Sequence, residues 1–239
     1  MISKGFIREL VLRRDEVTSF DEYPYNIPAV RQLDHLPLHP SVTYFVGENG
    51  SGKSTFIEAM AILAGFNPEG GTKNFNQQLR PSESQLYEQL QLIRNPKREK
   101  RGFFLRAETM FNVATEVEQG DYSLYGWANL HVQSHGEAFL WLMQERFGSN
   151  GLYILDEPES ALSPQRQLAA LRIIHELVKQ GSQFIIATHS PILMAYPDAL
   201  LYWLDADGLR KTTYMETEHY QISRDFLNNT ELMLKHLLG

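Results

Sequence analysis
Between Gly47 and Thr55 the chain runs GENGSGKST, which meets every fixed position of the pattern G-x-x-x-x-G-K-[ST]. The run ahead of it, SVTYFVG, is β-branched and aromatic, which predicts a strand that stops at the glycine. The run behind it, STFIEAMAILAGF, has apolar residues at helical spacing and predicts a helix ending near Gly65. A glycine-rich turn joining strand to helix lets successive backbone N–H groups and the helix N-terminus face a phosphate chain. Gly47, Glu48, Asn49, Gly50, Ser51, Gly52, Lys53, Ser54 and Thr55 are therefore the candidate nucleotide cradle. In this pattern Lys53 reaches the β and γ oxygens and Ser54 ligates Mg²⁺, so ATP and Mg²⁺ are the expected ligands.

Hydrolysis needs more than a cradle: one group to hold the metal and another to act on water, both projecting from strand ends beside the loop. The stretch LYILDEPES supplies two acids at the end of a buried strand. Asp156 is the candidate metal ligand and Glu157 the candidate base. Neighbouring side chains on a strand point to opposite faces, so the strand must end between them, and Pro158 enforces that break. The next buried run, SQFIIATHS, ends at His189. A strand, a helix (SPQRQLAALRIIHELVKQG) and a strand argue for a parallel pair, whose right-handed crossover brings His189 into one crevice with Asp156 and Lys53. There His189 can bond the γ-phosphate or the water.

Farther out, FIRELVLRR alternates in part like an edge strand, SESQLYEQLQLIR reads as a helical middle, and RGFFLRAE suggests another strand. ALLYWLDADGLRKTTY reads as a hairpin turning at Asp205 to Gly208, and SRDFLNNTELMLKHLL as a terminal helix. In VQSHGEAFLW, Ser134 and Glu137 form a capping box ahead of an apolar run, the mark of a helix N-terminus.

The 239 residues, 43% of them hydrophobic, suit one large domain or two joined lobes. The division expected is a core lobe of about 1–72 and 150–239 and a helical lobe of about 73–149. There is no cysteine, which excludes disulfides and thiolate metal sites; with no leader-like N-terminus, the expected compartment is the cytoplasm. No apolar run approaches the length of a membrane span. With 22 basic against 29 acidic residues the net charge is -7, so any contact with nucleic acid must be local. RNPKREKR, from Arg94 to Arg101, is the basic cluster that offers one, although a short charge run without aromatics is usually a solvated loop.

The order of these motifs resembles the ABC-type ATPase superfamily, which includes transporter nucleotide-binding domains and the heads of DNA-repair and chromosome-maintenance ATPases. On that resemblance Gly47 to Thr55 is the phosphate loop, Gln133 to Glu137 the signature, Leu152 to Glu157 the Walker B strand, Ser160 to Ser163 the D-loop, and His189 the switch histidine. It implies an α/β P-loop NTPase fold with a mainly parallel central sheet, an N-terminal antiparallel β part and a small helical lobe. It also implies an ATPase homodimer that sandwiches ATP, Ser134 and Gly136 of one subunit facing the γ-phosphate held by the other. The implied role is a switch on a partner protein or DNA. The alternative is the energising subunit of a membrane transporter.

Three departures stand out. His135 and Glu137 replace the signature's first glycine and its glutamine, Ser163 replaces the usual aspartate of the D-loop, and no glutamine stands where the superfamily's glutamine loop is expected, directly after RGFFLRAE. Glu108, or less directly Gln77 or Gln78, takes the place of that last residue, which counts against transport. About 85 residues without sustained heptads separate the phosphate loop from the signature, so no long coiled coil is inserted there.

Overall fold
The computed structural model describes residues 5–73, 84–106 and 135–239. In chain order its elements are β1 (Ile7–Leu12), α1 (Pro28–Arg31), β2 (His35–Pro37), β3 (Val42–Val46), α2 (Lys53–Ala64), α3 (Leu86–Gln89), β4 (Leu90–Arg94) and β5 (Arg101–Arg106). There follow α4 (His135–Arg146), β6 (Gly151–Asp156), α5 (Pro164–Lys179), β7 (Gln183–Thr188), β8 (Leu200–Asp205), β9 (Gly208–Thr212), α6 (Glu218–Asn228) and α7 (Thr230–Leu238).

Six strands form the central sheet in the order β5-β6-β7-β3-β8-β9, parallel except for β9, which closes a hairpin with β8. Three more, in the order β2-β1-β4, form an antiparallel sheet. This is the α/β architecture that the phosphate-loop context predicts.

Strands β3, β6 and β7 are buried at every residue, because helices cover both faces of the central sheet. Alternation along each strand divides the core in two. Phe45, Ile154 and Ile185 face Phe56, Ile57 and Met60 of α2; Tyr44, Leu155 and Ile186 face Phe139 and Met143 of α4 and Ile174 of α5. Phe45 is sandwiched between Phe56 and Tyr202, with ring centroids 6.0 and 5.8 Å away. The two sheets are joined through the fully buried Gln183. Its Oε1 accepts from the amides of Phe6 (2.8 Å) and Ile7 (2.9 Å), and its Nε2 donates to the carbonyls of Ile7 (2.7 Å) and His39 (2.9 Å).

Three expectations need correcting. The segment expected to be a helical middle holds only the single turn α3 before it becomes β4, whose Leu90 and Leu92 pair with Leu12 and Leu10 of β1. Ladder bonds and burial of Leu90 outweigh the helix propensity of Leu and Gln. For the same reason β1 is the central strand of its sheet, not an edge. The terminal helix is two helices, α6 and α7, interrupted at Asn229 (φ −134°). β4 lies in the antiparallel sheet and β5 in the central one.

The basic cluster is partly occupied by internal contacts: Glu99 pairs with Arg94 (3.2 Å) and with Lys73, and Lys97 lies over the Phe6 ring. Among the described residues no helix is long and apolar enough to cross a membrane.

Candidate functional site
The phosphate loop spans the gap between β3 and α2. At Gly47 a Cβ would lie 2.1 Å from the carbonyl oxygen of Leu204 on β8, so only glycine lets the loop leave the sheet there. Glu48 to Gly52 make the turn, closed by the Ser51 amide donating to the Glu48 carbonyl (3.2 Å), and Ser54 and Thr55 lie in the first turn of α2. No side chain caps that helix, leaving its first N–H groups available to an anion. The Lys53 side chain is 3% exposed, and its Nζ donates to the carbonyls of Gly47 (2.8 Å) and Glu48 (2.9 Å). Burial pulls its pKa down, against the opposing pull of Glu157, Asp156, Glu159 and Glu48.

Because β3, β7 and β6 are adjacent and parallel, their C-terminal ends open side by side. Ser54 Oγ donates to Asp156 Oδ1 at 3.2 Å, so a hydroxyl and a buried carboxylate meet as hard oxygen donors suited to Mg²⁺. The strand ends at Asp156, and Glu157 adopts a left-handed conformation (φ 49°, ψ 51°) ahead of Pro158. That turn directs Glu157 to His189: Oε1 is 2.8 Å from His189 Nε2 and 4.0 Å from Lys53 Nζ. The expected Lys53, Ser54, Asp156, Glu157 and His189 thus gather in one crevice.

Two further residues join them without a sequence signal of their own. Arg106, in register with Asp156 across β5 and β6, approaches it at 3.7 Å and pairs with Glu58 of α2 at 2.9 Å. Glu159 accepts a hydrogen bond from the His189 amide and fixes the turn after β7; burial pushes its carboxyl pKa up.

Gly136 lies in the first turn of α4, where a Cβ would stand 2.8 Å from the carbonyl oxygen of Ala161 and 2.7 Å from Arg166 Nη1. Glu137 pairs with Arg166 at 2.9 Å, and Ser163 caps α5 by accepting from the Arg166 amide; the capping box expected of Glu137 with Ser134 falls on residues outside those described. The start of α4 and the turn from Ser160 to Ser163 are therefore in contact within one protomer. Ser134 and Gln133, and the glutamine substitutes Glu108, Gln77 and Gln78, lie outside the described residues.

The family model described as "AAA domain" matches residues 26–121, and that described as "AAA domain, putative AbiEii toxin, Type IV TA system" matches residues 137–195. The cytochrome c biogenesis ATP-binding export protein CcmA of Sodalis glossinidius is 28% identical over 165 residues, 61% of this chain and 74% of that protein. A solved structure described as "an inward-facing conformation of a putative metal-chelate type ABC transporter" shares the fold, with a TM-score of 0.54 at 16% identity over 92% of this chain and 88% of that one. These matches support a likeness to the ABC-type ATPase superfamily. The SMC head domain from Thermotoga maritima overlays this chain with a TM-score of 0.48 at 17% identity, over 87% of this chain and 98% of that one. The likeness supports a nucleotide-binding function for the chain.

Proposed function
We propose that the chain hydrolyses ATP to ADP and phosphate with Mg²⁺, two protomers enclosing the nucleotide, and that it serves as a switch on a partner protein or DNA. The observation that carries this reading is the 2.8 Å contact of Glu157 with His189, 4.0 Å from the phosphate-loop lysine. Lys53, freed from the loop carbonyls, neutralises the β and γ oxygens. Ser54 and Asp156 would hold Mg²⁺, which would supply charge stabilisation when bound. Glu157 accepts a proton from the attacking water while the water oxygen bonds to phosphorus; the bond to the bridging oxygen breaks and ADP departs with that electron pair. His189 fixes the orientation of the carboxylate. Across the dimer, Ser134 and Gly136 of each protomer face the partner's γ-phosphate.

Glu157→Gln should keep ATP affinity and lose about a hundredfold or more in turnover, because Glu157 acts on the water alone. Lys53→Ala should lose nucleotide binding itself. Steady-state hydrolysis beside nucleotide affinity measures both, and normal turnover in Glu157→Gln would rule out its role as base. A transporter-subunit reading draws on the names of the export protein and the metal-chelate transporter. Co-purification with a membrane protein from the native cell would favour it.

A further inference from the structure
The chain continues past the β8–β9 hairpin into α6, and the start of that helix is fastened to the segment that carries His189. Thr217 caps α6 and is fully buried. Its Oγ1 donates to the Tyr214 carbonyl at 2.7 Å and lies 3.4 Å from the sulfur of Met194, itself buried in the turn that follows His189. Beyond this first turn no residue of α6 is buried. The helix is therefore held at one end, and His219 is in the turn that is held.

The His219 side chain is only 14% exposed. Its ring centroid is 5.5 Å from that of His189, at an interplanar angle of 51°, and 5.5 Å from that of Trp203 on β8, at 58°. Its Nε2 is 3.8 Å from a carboxylate oxygen of Glu48 in the phosphate loop. The His189 ring thus has Glu157 on its Nε2 and the His219 ring packed beside it. An imidazole held by one hydrogen bond alone can rotate away from its partner; a second ring against it restricts that rotation.

We propose that His219 is a positioning residue for hydrolysis: it holds the His189 imidazole on Glu157 and so makes the first turn of α6 part of the hydrolytic site. The proposal rests on the ATPase reading above. Because His219 acts through His189 on the chemical step and not on ground-state phosphates, its loss reduces kcat and spares ATP affinity.

The test is a double-mutant cycle read by single-turnover hydrolysis and by ATP affinity. His219→Ala should lower the hydrolysis rate by on the order of tenfold with affinity unchanged, since small misplacements of reacting groups are costly. His219→Phe, which keeps a ring in the slot, should recover most of that rate and shows whether the position tolerates change without loss of fold. In a His189→Ala background, His219→Ala should cost nothing further. Equal losses in both backgrounds, or a lower melting temperature with the rate untouched, would make His219 a structural peg under α6 and overturn the proposal. A wild-type chain without turnover overturns the ATPase reading and this one with it. Wild-type turnover with additive losses overturns this one alone.

Discussion
Glu157 is held at φ 49°, a left-handed conformation that costs a non-glycine residue about 1–2 kcal/mol. What that strain obtains is divergence: Asp156 stays in the sheet beside Ser54, and Glu157 swings to His189 and Lys53. The D-E-P triplet made this legible in the sequence, because alternation forbids two adjacent acids on one side of a strand. Arg106 and Glu159 were not legible, since their contacts come from elements far along the chain and follow no motif. Glu159 carries a prediction. Burial raises its pKa in the folded state, so between the ordinary carboxylate range and that raised value the native chain holds a proton that the unfolded chain has lost. Stability therefore falls as pH rises across that window. Glu159→Gln keeps an acceptor for the His189 amide and has no charge to desolvate. It should melt above the parent at about pH 7.5, and the difference should shrink toward about pH 3, below the ordinary carboxylate range, where residue 159 is mostly neutral in both proteins. Differential scanning calorimetry at the two pH values decides it, and a constant difference would place the effect elsewhere.

Among the elements, the buried runs of β3, β6 and β7 were readable because unbroken apolar stretches bounded by turn residues have few other uses. β4 was not, because LQLIR suits a helix as well as a strand, and only its pairing with β1, some 80 residues earlier, decides the matter. The break at Asn229 was hidden for a similar reason: helical spacing persists on both sides of it. What holds the small sheet to the large one was also invisible, since a lone glutamine in SQFIIATHS reads as a strand-end polar residue. Gln183→Ala would strand the amides of Phe6 and Ile7 and the carbonyls of Ile7 and His39. It should cost about 3 kcal/mol, seen as a lower urea midpoint, because unpaired buried polar groups are expensive. A midpoint equal to the parent's would mean that water enters and satisfies them.

At the scale of the whole molecule, each chain carries a net charge of -7 and ATP adds to it, so in the proposed dimer protomers should repel until bound phosphate is met by Lys53, Mg²⁺ and the partner's signature. Assembly should follow ATP by mass action. Glu157→Gln with ATP and Mg²⁺ should give a dimer by light scattering, ADP should leave monomers, and adding Ser134→Arg should abolish the dimer while sparing nucleotide binding. Equal dimerisation with and without Ser134→Arg would reduce QSHGE to a helix cap. The sheet order has a consequence for synthesis. β3 supports the phosphate loop, yet its two neighbours are β7 and β8, which begin at Gln183 and Leu200. A ribosome that has released Lys53 has therefore made the cradle without its platform, and Val42–Val46 must wait, apolar and unpaired, for most of the chain to follow. Nascent chains halted before Gln183 carry the whole phosphate-loop motif and should hold no nucleotide; competence arrives late and all at once, when β7 and β8 close on either side of β3.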